Sequence, residues 1–231
     1  MKKSFFIINI ILGLLTIISD VFYALYGGLW LKGVTSAGFV LIGLVNLVYV
    51  LLIKDRNIKF ACFMLVGLVL SLVADIVLNI HFMIGAVIFA LAHVLYIVSY
   101  SVISKYHWKD LIPAAIIFVP SALVITLVPL FDFGGILMEV VCVVYALIIS
   151  LMVGKSVSNL IKEKSVSNLI IMIGSILFFI SDLMLLFNVF GSVEANVALI
   201  FDNLCLATYW PAQVLLAYSI YHKTTEKKKE E

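Results

Sequence analysis

Eight long apolar segments run through this sequence, and each is long enough to cross a membrane. Hydrophobic residues make up 65% of the chain and charged residues only 12%, whereas soluble domains carry about 45–50% and about 25%. The segments do not alternate between apolar and polar residues, as the strands of a membrane barrel do. The sequence therefore predicts an all-α polytopic membrane protein. Its eight predicted transmembrane helices cover residues 5–26, 34–53, 60–80, 83–104, 111–131, 135–154, 168–189 and 197–221.

Basic residues lie almost entirely on alternate connections between these segments. Only Lys32, expected on the other side directly before span 2, departs from the pattern among the 15 basic residues. By the positive-inside rule, both termini are expected in the cytoplasm and the protein in the cell (plasma) membrane. The other fourteen are Lys2, Lys3, Lys54, Arg56, Lys59, Lys105, Lys109, Lys155, Lys162, Lys164, Lys223, Lys227, Lys228 and Lys229.

An internal repeat relates the two halves of the chain. VGLVLSLVADIVL (66–78) and IGSILFFISDLML (173–185) align without a gap, on spans 3 and 7. Helices four spans apart cross the membrane in the same direction, which indicates two parallel four-helix halves. We expect one domain over 1–222 and a charged cytoplasmic tail over 223–231. A shorter repeat, KSVSNLI at 155–161 and again at 164–170, is expected to lengthen a cytoplasmic loop.

The longer repeat places one carboxylate in each half, Asp75 and Asp182, within a span. At about 1.5 Å per residue, both fall in the outer half of the bilayer at a similar height. An ionisable group in the hydrocarbon core costs about 2.5–3.5 kcal/mol on insertion scales, so such residues usually face a polar interior. We therefore expect these two aspartates to converge on one cavity. Asp20 and Glu139 are expected to be solvated near the interface.

Other polar side chains share helical faces at this level. Ser71 lies one turn from Asp75, and His93 lies near mid-depth on span 4. The alternative explanation is that such residues only hydrogen-bond neighbouring helices. The further candidates for lining the cavity are Tyr96 on span 4 and Asp202, Tyr209 and Gln213 on span 8.

Two carboxyl groups in one buried site can divide a proton, one neutral and one ionised. This division suits general acid catalysis through a cationic transition state, and it suits proton-coupled transport equally well. The sequence has no nucleophile elbow, no zinc-protease motif and no phosphate-binding loop. Its three scattered cysteines have no metal-ligand spacing. We predict no metal, no cofactor and no nucleic-acid partner.

Four motifs in order resemble the lysoplasmalogenase family, the YhhN-like membrane proteins. They are GLVLSLVADIVL (67–78), GAVIFALAHVLY (85–96), GSILFFISDLML (174–185) and YWPAQVLLAYS (209–219). The resemblance implies an eight-span hydrolase that cleaves the vinyl ether of lysoplasmalogens to a fatty aldehyde and a glycerophospho-base. The family usually has Lys-Pro entering span 2, whereas here Gly33 follows Lys32.

The resemblance also implies roles for individual residues. Asp75 and Asp182 match the family's two intramembrane aspartates, one as the acid and the other stabilising the cation, in an order that the sequence leaves open. His93 would tune or relay the proton, and Lys32 would meet the phosphate of a single-chain phospholipid in the membrane. A small-molecule or proton-coupled transporter and a non-enzymatic lipid-binding protein remain alternatives. The residues expected to contact substrate are Lys32, Ser71, Tyr96, Asp202, Tyr209 and Gln213.

Overall fold

The computed structural model describes residues 2–226, and in this part of the chain eight α-helices account for nearly all residues. Each helix is long and apolar enough to cross a membrane. The predicted all-α, eight-helix architecture is therefore confirmed. The helices are α1 (Lys2–Tyr26), α2 (Leu29–Leu52), α3 (Ile58–Leu78), α4 (Phe82–Ile103), α5 (Leu111–Leu127), α6 (Ile136–Lys162), α7 (Val166–Phe190) and α8 (Ala195–Glu226).

Several helices extend past the apolar segments that predicted them. Lys32 lies in the first turn of α2 rather than in the preceding connection, because two glycines with positive φ, Gly27 and Gly28, already end α1. The domain boundary expected at residue 222 falls inside α8, which continues to Glu226. Residues 227–231, the remainder of the predicted tail, lie outside the described part of the chain.

The packing of the helices repeats between the two halves. The α1–α2 and α3–α4 pairs of the first half correspond to the α5–α6 and α7–α8 pairs of the second. Between the halves, α4 packs on α6 and α8 packs on α2. This arrangement fits the two parallel halves that the repeat indicates. One difference is that the backbone of α1 also comes close to that of α8, whereas the backbone of α5, among the described residues, comes close only to α6 and to the 3-10 turn at Trp108–Asp110 that precedes it.

The centre of the bundle is filled by large side chains rather than by a continuous channel. Tyr96, Tyr100, Phe178 and Trp210 are all fully buried. Tyr100 and Ser175 are joined by a hydrogen bond of 3.0 Å, two turns along α7 from Asp182 towards the basic end of the bundle. The polar residues near the opposite helix ends are therefore separated from the basic end by a packed aromatic core.

The duplicated KSVSNLI segment is not a loop, so that prediction is wrong. The first copy forms the last two turns of α6, and the second copy begins α7. Ser165 caps α7, where its Oγ accepts a hydrogen bond from the Asn168 backbone N–H at 3.3 Å. Only Glu163 to Ser165 connect the two helices.

A buried ion cluster explains why Lys155 lies in α6 rather than in a cytoplasmic connection as expected. Its side chain is fully buried, and Nζ donates to Asp110 Oδ2 at 2.8 Å and to the Lys105 carbonyl at 3.1 Å. Lys162 Nζ donates to the other oxygen, Asp110 Oδ1, at 2.8 Å. The cluster holds the 3-10 turn before α5 against the end of α6.

We expect Asp110→Asn to lower the free energy of unfolding by about 3 kcal/mol, because it leaves the buried Lys155 ammonium without its countercharge. The midpoint of thermal unfolding in detergent measures this effect. Glu194→Gln is the matched control, since Glu194 is exposed ahead of α8. Equal unfolding midpoints for the two variants would contradict the importance of the cluster.

Candidate active site

Asp75 lies in the last turn of α3, with 2% of its surface exposed. Its Oδ2 accepts hydrogen bonds from Ser36 Oγ on α2 at 2.5 Å and from Tyr209 Oη on α8 at 2.8 Å. Both partners are donors, so they suit the ionised carboxylate. This environment favours a negative charge at Asp75.

A chain of hydrogen bonds fixes the Tyr209 hydroxyl from the side that faces the basic end of the bundle. Gln213 Nε2 donates to Tyr209 Oη at 3.2 Å, and Gln213 Oε1 accepts from Tyr96 Oη at 3.0 Å. Tyr96 has then used its one proton, so Ser71 Oγ donates to Tyr96 Oη across their 3.0 Å contact. Ser71, Tyr96 and Gln213 are fully buried. They position the Tyr209 hydroxyl and line neither of the two cavities described below.

Asp182 lies two turns before the end of α7, and its side chain is 13% exposed. Its Oδ2 accepts a hydrogen bond from Tyr145 Oη on α6 at 2.7 Å. The same oxygen lies 3.7 Å from Nε2 of His93 on α4, slightly beyond hydrogen-bond distance. His93 and Asp182, two of the predicted catalytic residues, are therefore in van der Waals contact.

The hydrogen bonding of His93 determines which ring nitrogen carries the proton and which faces Asp182 with a lone pair. Nδ1 lies 2.7 Å from the Phe89 carbonyl, which can only accept, so Nδ1 is the donor. Nε2 is buried and has no hydrogen-bond partner among the described residues. Neutral His93 would present a lone pair to Asp182, and two acceptors cannot bond without a proton between them. The His93–Asp182 pair therefore suits one shared proton.

The two aspartates are held in equivalent ways by the two halves. Asp75 contacts the second helix of its own half through Ser36 and the fourth helix of the other half through Tyr209. Asp182 contacts the corresponding helices through Tyr145 and His93. The substitution of a histidine for a second hydroxyl is the main difference. The same carboxylate thus lies among donors in one half and beside a proton-sharing base in the other.

Both aspartates line one cavity of about 220 Å³, which we call the polar cavity. Three other residues predicted from the sequence also line it: Lys32, Asp202 and Tyr209. His93 is fully buried and reaches the polar cavity only through Asp182. The remaining polar lining side chains are Tyr23, Asn79, Ser181, Cys205 and Trp210.

The charged residues at the rim of the polar cavity differ in how firmly they are held. Lys32 is half-buried, with Nζ 6.0 Å from the centre of the Tyr23 ring. It forms no salt bridge with another described residue. Asp202 Oδ1 accepts a hydrogen bond from Asn188 Nδ2 at 3.2 Å. The cavity therefore offers one cation, Lys32, that is available to an anionic ligand.

Two site residues, Ser36 and Tyr145, are absent from the predicted set. No acidic residue lies next to either of them in the sequence. The contact that each makes with an aspartate therefore depends on how the helices pack. Asp20, expected to be solvated, is instead 7% exposed, and its Oδ1 lacks a hydrogen-bond partner among the described residues. Its helix, α1, packs against both α2 and α8. Glu139 is half-buried in the first turn of α6 and lines neither of the cavities described here.

Comparison with models of protein families identifies the family of this chain. The model of the YhhN family matches residues 9–220, which include both aspartates and every residue that holds them. The chain belongs to the YhhN family. This is the lysoplasmalogenase-like family that the sequence motifs resemble. Comparison with curated proteins and with solved structures found no match.

Proposed function

We propose that this YhhN-family protein is a membrane-embedded hydrolase that cleaves the vinyl ether bond of lysoplasmalogens to a fatty aldehyde and a glycerophospho-base. One observation carries the proposal: two equivalent intramembrane aspartates share a cavity but have chemically different partners. Hydrolysis of a vinyl ether needs one group that gives a proton to carbon and another that supports the resulting cation. Family membership supports a lysoplasmalogenase-like role at a coarser level.

In this proposal Asp182 is the acid. Its contact with His93 suits a shared proton, and its partly exposed side chain reaches the cavity. Asp75 is the carboxylate, because Ser36 and Tyr209 both donate to it. Acid–base pairs in enzymes commonly arise when two titratable groups have environments that favour opposite protonation states.

The first step is transfer of the Asp182 proton to the vinyl carbon farther from oxygen. The carbon next to oxygen then becomes part of an oxocarbenium ion, whose positive charge lies near the Asp75 carboxylate. A water molecule adds to that carbon and gives its proton to Asp75, which forms a neutral hemiacetal. A preorganised charge near a developing cation is one of the larger contributions that an enzyme makes.

The second step restores both aspartates. Asp75 returns its proton to the ether oxygen as the carbon–oxygen bond breaks, and Asp182 takes the proton of the hemiacetal hydroxyl. The products are the aldehyde and the free glycerol hydroxyl of the head group. Asp182 is again neutral and Asp75 again ionised, so the cycle closes without a cofactor.

Lys32 is proposed to bind the phosphate of the substrate. It is the basic residue that lines the polar cavity, and a half-buried lysine without a salt bridge can meet a phosphate as a point charge. Asp202 and Tyr209 are proposed to contact the polar part of the lipid from α8. Ser71, Tyr96 and Gln213 act through Tyr209 as positioning residues.

We expect His93→Gln to lower kcat by about 10²-fold, the lower end of the loss for one acid–base group. Glutamine can fill the space and accept or donate a hydrogen bond, but it cannot hold the proton shared with Asp182. Initial rates of aldehyde release in detergent measure the effect. An unchanged kcat would mean that His93 only packs beneath Asp182.

The orientation proposed here places both termini in the cytoplasm, and therefore the polar cavity in the outer half of the membrane. The basic helix ends lie at the opposite end of the bundle from both aspartates, as the positive-inside rule requires. A reporter fused after Glu231 should be active only in the cytoplasm. A reporter that is active only outside the cell would overturn this orientation.

Hydrolysis and transport predict different products from the same purified protein. A hydrolase releases aldehyde from a lysoplasmalogen in detergent, where no gradient exists. A proton-coupled transporter moves protons across sealed vesicles and leaves the lipid intact. Aldehyde release would support the proposed hydrolase, whereas lipid-dependent proton flux without aldehyde would reject it in favour of transport.

A further inference from the structure

A second cavity, of about 90 Å³, meets the polar cavity at Asp182. Both cavities are lined by Asp182 and by four apolar residues, so they lie on either side of the same carboxyl group. The second cavity is bounded by α4, α5, α6 and α7, and we call it the apolar cavity. The shared apolar residues are Leu78, Phe82, Phe89 and Leu185.

The two cavities differ sharply in chemistry. The polar cavity contains Lys32 and three aspartates. The apolar cavity is lined mainly by aliphatic and aromatic side chains, together with Ser121 and Cys142, and Asp182 is its one acidic or basic residue. Tyr145, which also lines it, points its hydroxyl at Asp182 in a hydrogen bond of 2.7 Å. Beyond Asp182 and Tyr145, the apolar cavity offers a ligand almost no strong hydrogen-bonding group.

The apolar cavity also has a lateral route to the membrane. Among the described residues the backbone of α5 does not come close to that of α4 or α7, although all three helices line the cavity. Val124 on α5 and Met138 on α6 line it and are only half-buried, so its wall reaches the lipid-facing surface. The corresponding gap in the other half is closed, because α1 packs on α8.

We propose that the apolar cavity binds the hydrocarbon chain of a single-chain ether lipid, while the polar cavity binds its glycerophospho part. This inference rests on the proposed function and adds the orientation of the bound substrate, that is, which cavity holds which end of the lipid. In such a lipid the labile bond is the junction between the polar part and the chain. Asp182, at the junction of the two cavities, is then beside the bond that it protonates. The chain enters between α4, α5 and α7, and its far end remains in the bilayer.

A photoreactive ligand tests this placement without requiring hydrolysis. The probe is a lysophospholipid with a saturated 1-O-alkyl chain, which is not a vinyl ether, carrying a diazirine within that chain. After irradiation in detergent, labelled residues are mapped by mass spectrometry, with and without excess unlabelled 1-O-alkyl lysophospholipid. We expect competable labelling on α5 and α6 at residues that line the apolar cavity, such as Val124 and Val141.

Ala86→Leu narrows the apolar cavity from α4 and should reduce competable labelling about tenfold, as expected when about two methylene groups lose their burial. Ala115→Leu is the matched control, because Ala115 is exposed on α5 and lines neither cavity. The midpoint of thermal unfolding in detergent, compared with that of the wild type, checks that Ala86→Leu folds. For turnover, Ala86→Leu should lower kcat/KM for a long-chain vinyl ether but not for a short-chain one.

The outcomes separate this inference from the proposed function. Competable labelling on Leu206 or other residues of the polar cavity alone would overturn the chain site, even if the protein releases aldehyde. Labelling confined to lipid-facing residues and insensitive to competitor would overturn it as well. Labelling of the apolar cavity without aldehyde release from a lysoplasmalogen would support the chain site and reject the hydrolase.

Discussion

Asp182→Asn should lower kcat for aldehyde release by about 10⁴-fold, the upper end of the contribution from one acid–base group. Asparagine has nearly the same shape and can still accept the hydrogen bond from Tyr145, but it has no proton to give to carbon. The variant should therefore fold and bind an ether lysolipid like the wild type. Single-turnover assays of aldehyde release, with thermal unfolding in detergent alongside, measure the chemical step and the fold separately.

Glu139→Gln is the matched control for this prediction. It removes a carboxylate from a membrane helix of the same bundle, and Glu139 lines neither cavity. Its kcat should stay within about twofold of the wild type, since a substitution away from the site usually changes a free energy by no more than about 0.5 kcal/mol. If Asp182→Asn is as active as Glu139→Gln, then Asp182 is not the acid.

Asp75→Asn should lower kcat by about 10³-fold, the cost of losing one preorganised electrostatic contact to a transition state. A neutral amide can accept from Ser36 and Tyr209 in place of the carboxylate, so the surrounding hydrogen bonds can be retained. It cannot offset the oxocarbenium charge or take a proton from water. Measured kcat, together with lysolipid binding, distinguishes this loss from misfolding.

The relative behaviour of the two variants tests the assignment of roles. Asp75→Asn should retain slow carbon protonation, since Asp182 and His93 are intact, whereas Asp182→Asn should not. A variant of Asp75 with normal turnover on a confirmed substrate would mean that this carboxylate is structural. The hydrogen bonds from Ser36 and Tyr209 would then serve only to satisfy a buried acid.

Much of the fold could be predicted from the sequence because the bilayer imposes simple requirements on it. A run of about 20 apolar residues identifies a spanning helix without knowledge of its neighbours. The repeat around Asp75 and Asp182 relates two such helices, and the cost of burying charge indicates that both acids face the interior. These are properties of a single helix or of two matching helices.

The partners of the aspartates could not be predicted in the same way. Ser36 and Tyr145 reach them through the rotation and height of α2 and α6, which depend on the packing of all the helices. The burial of Lys155 likewise depends on Asp110 in the turn before the neighbouring helix α5, and the sequence alone does not distinguish a buried lysine at a helix end from a solvated cytoplasmic one. Single-sequence patterns describe faces of helices but not which faces meet.

The most direct measurement is hydrolysis of a lysoplasmalogen by the purified protein in D₂O, with the products analysed by mass spectrometry. The account predicts equal amounts of fatty aldehyde and glycerophospho-base, and one deuterium on the carbon next to the aldehyde carbonyl. Unlabelled aldehyde incubated in the same buffer controls for later exchange, and Asp182→Asn should form both products about 10⁴-fold more slowly. Absence of aldehyde with the wild type, or aldehyde without that deuterium, would contradict proton transfer to carbon as the central step.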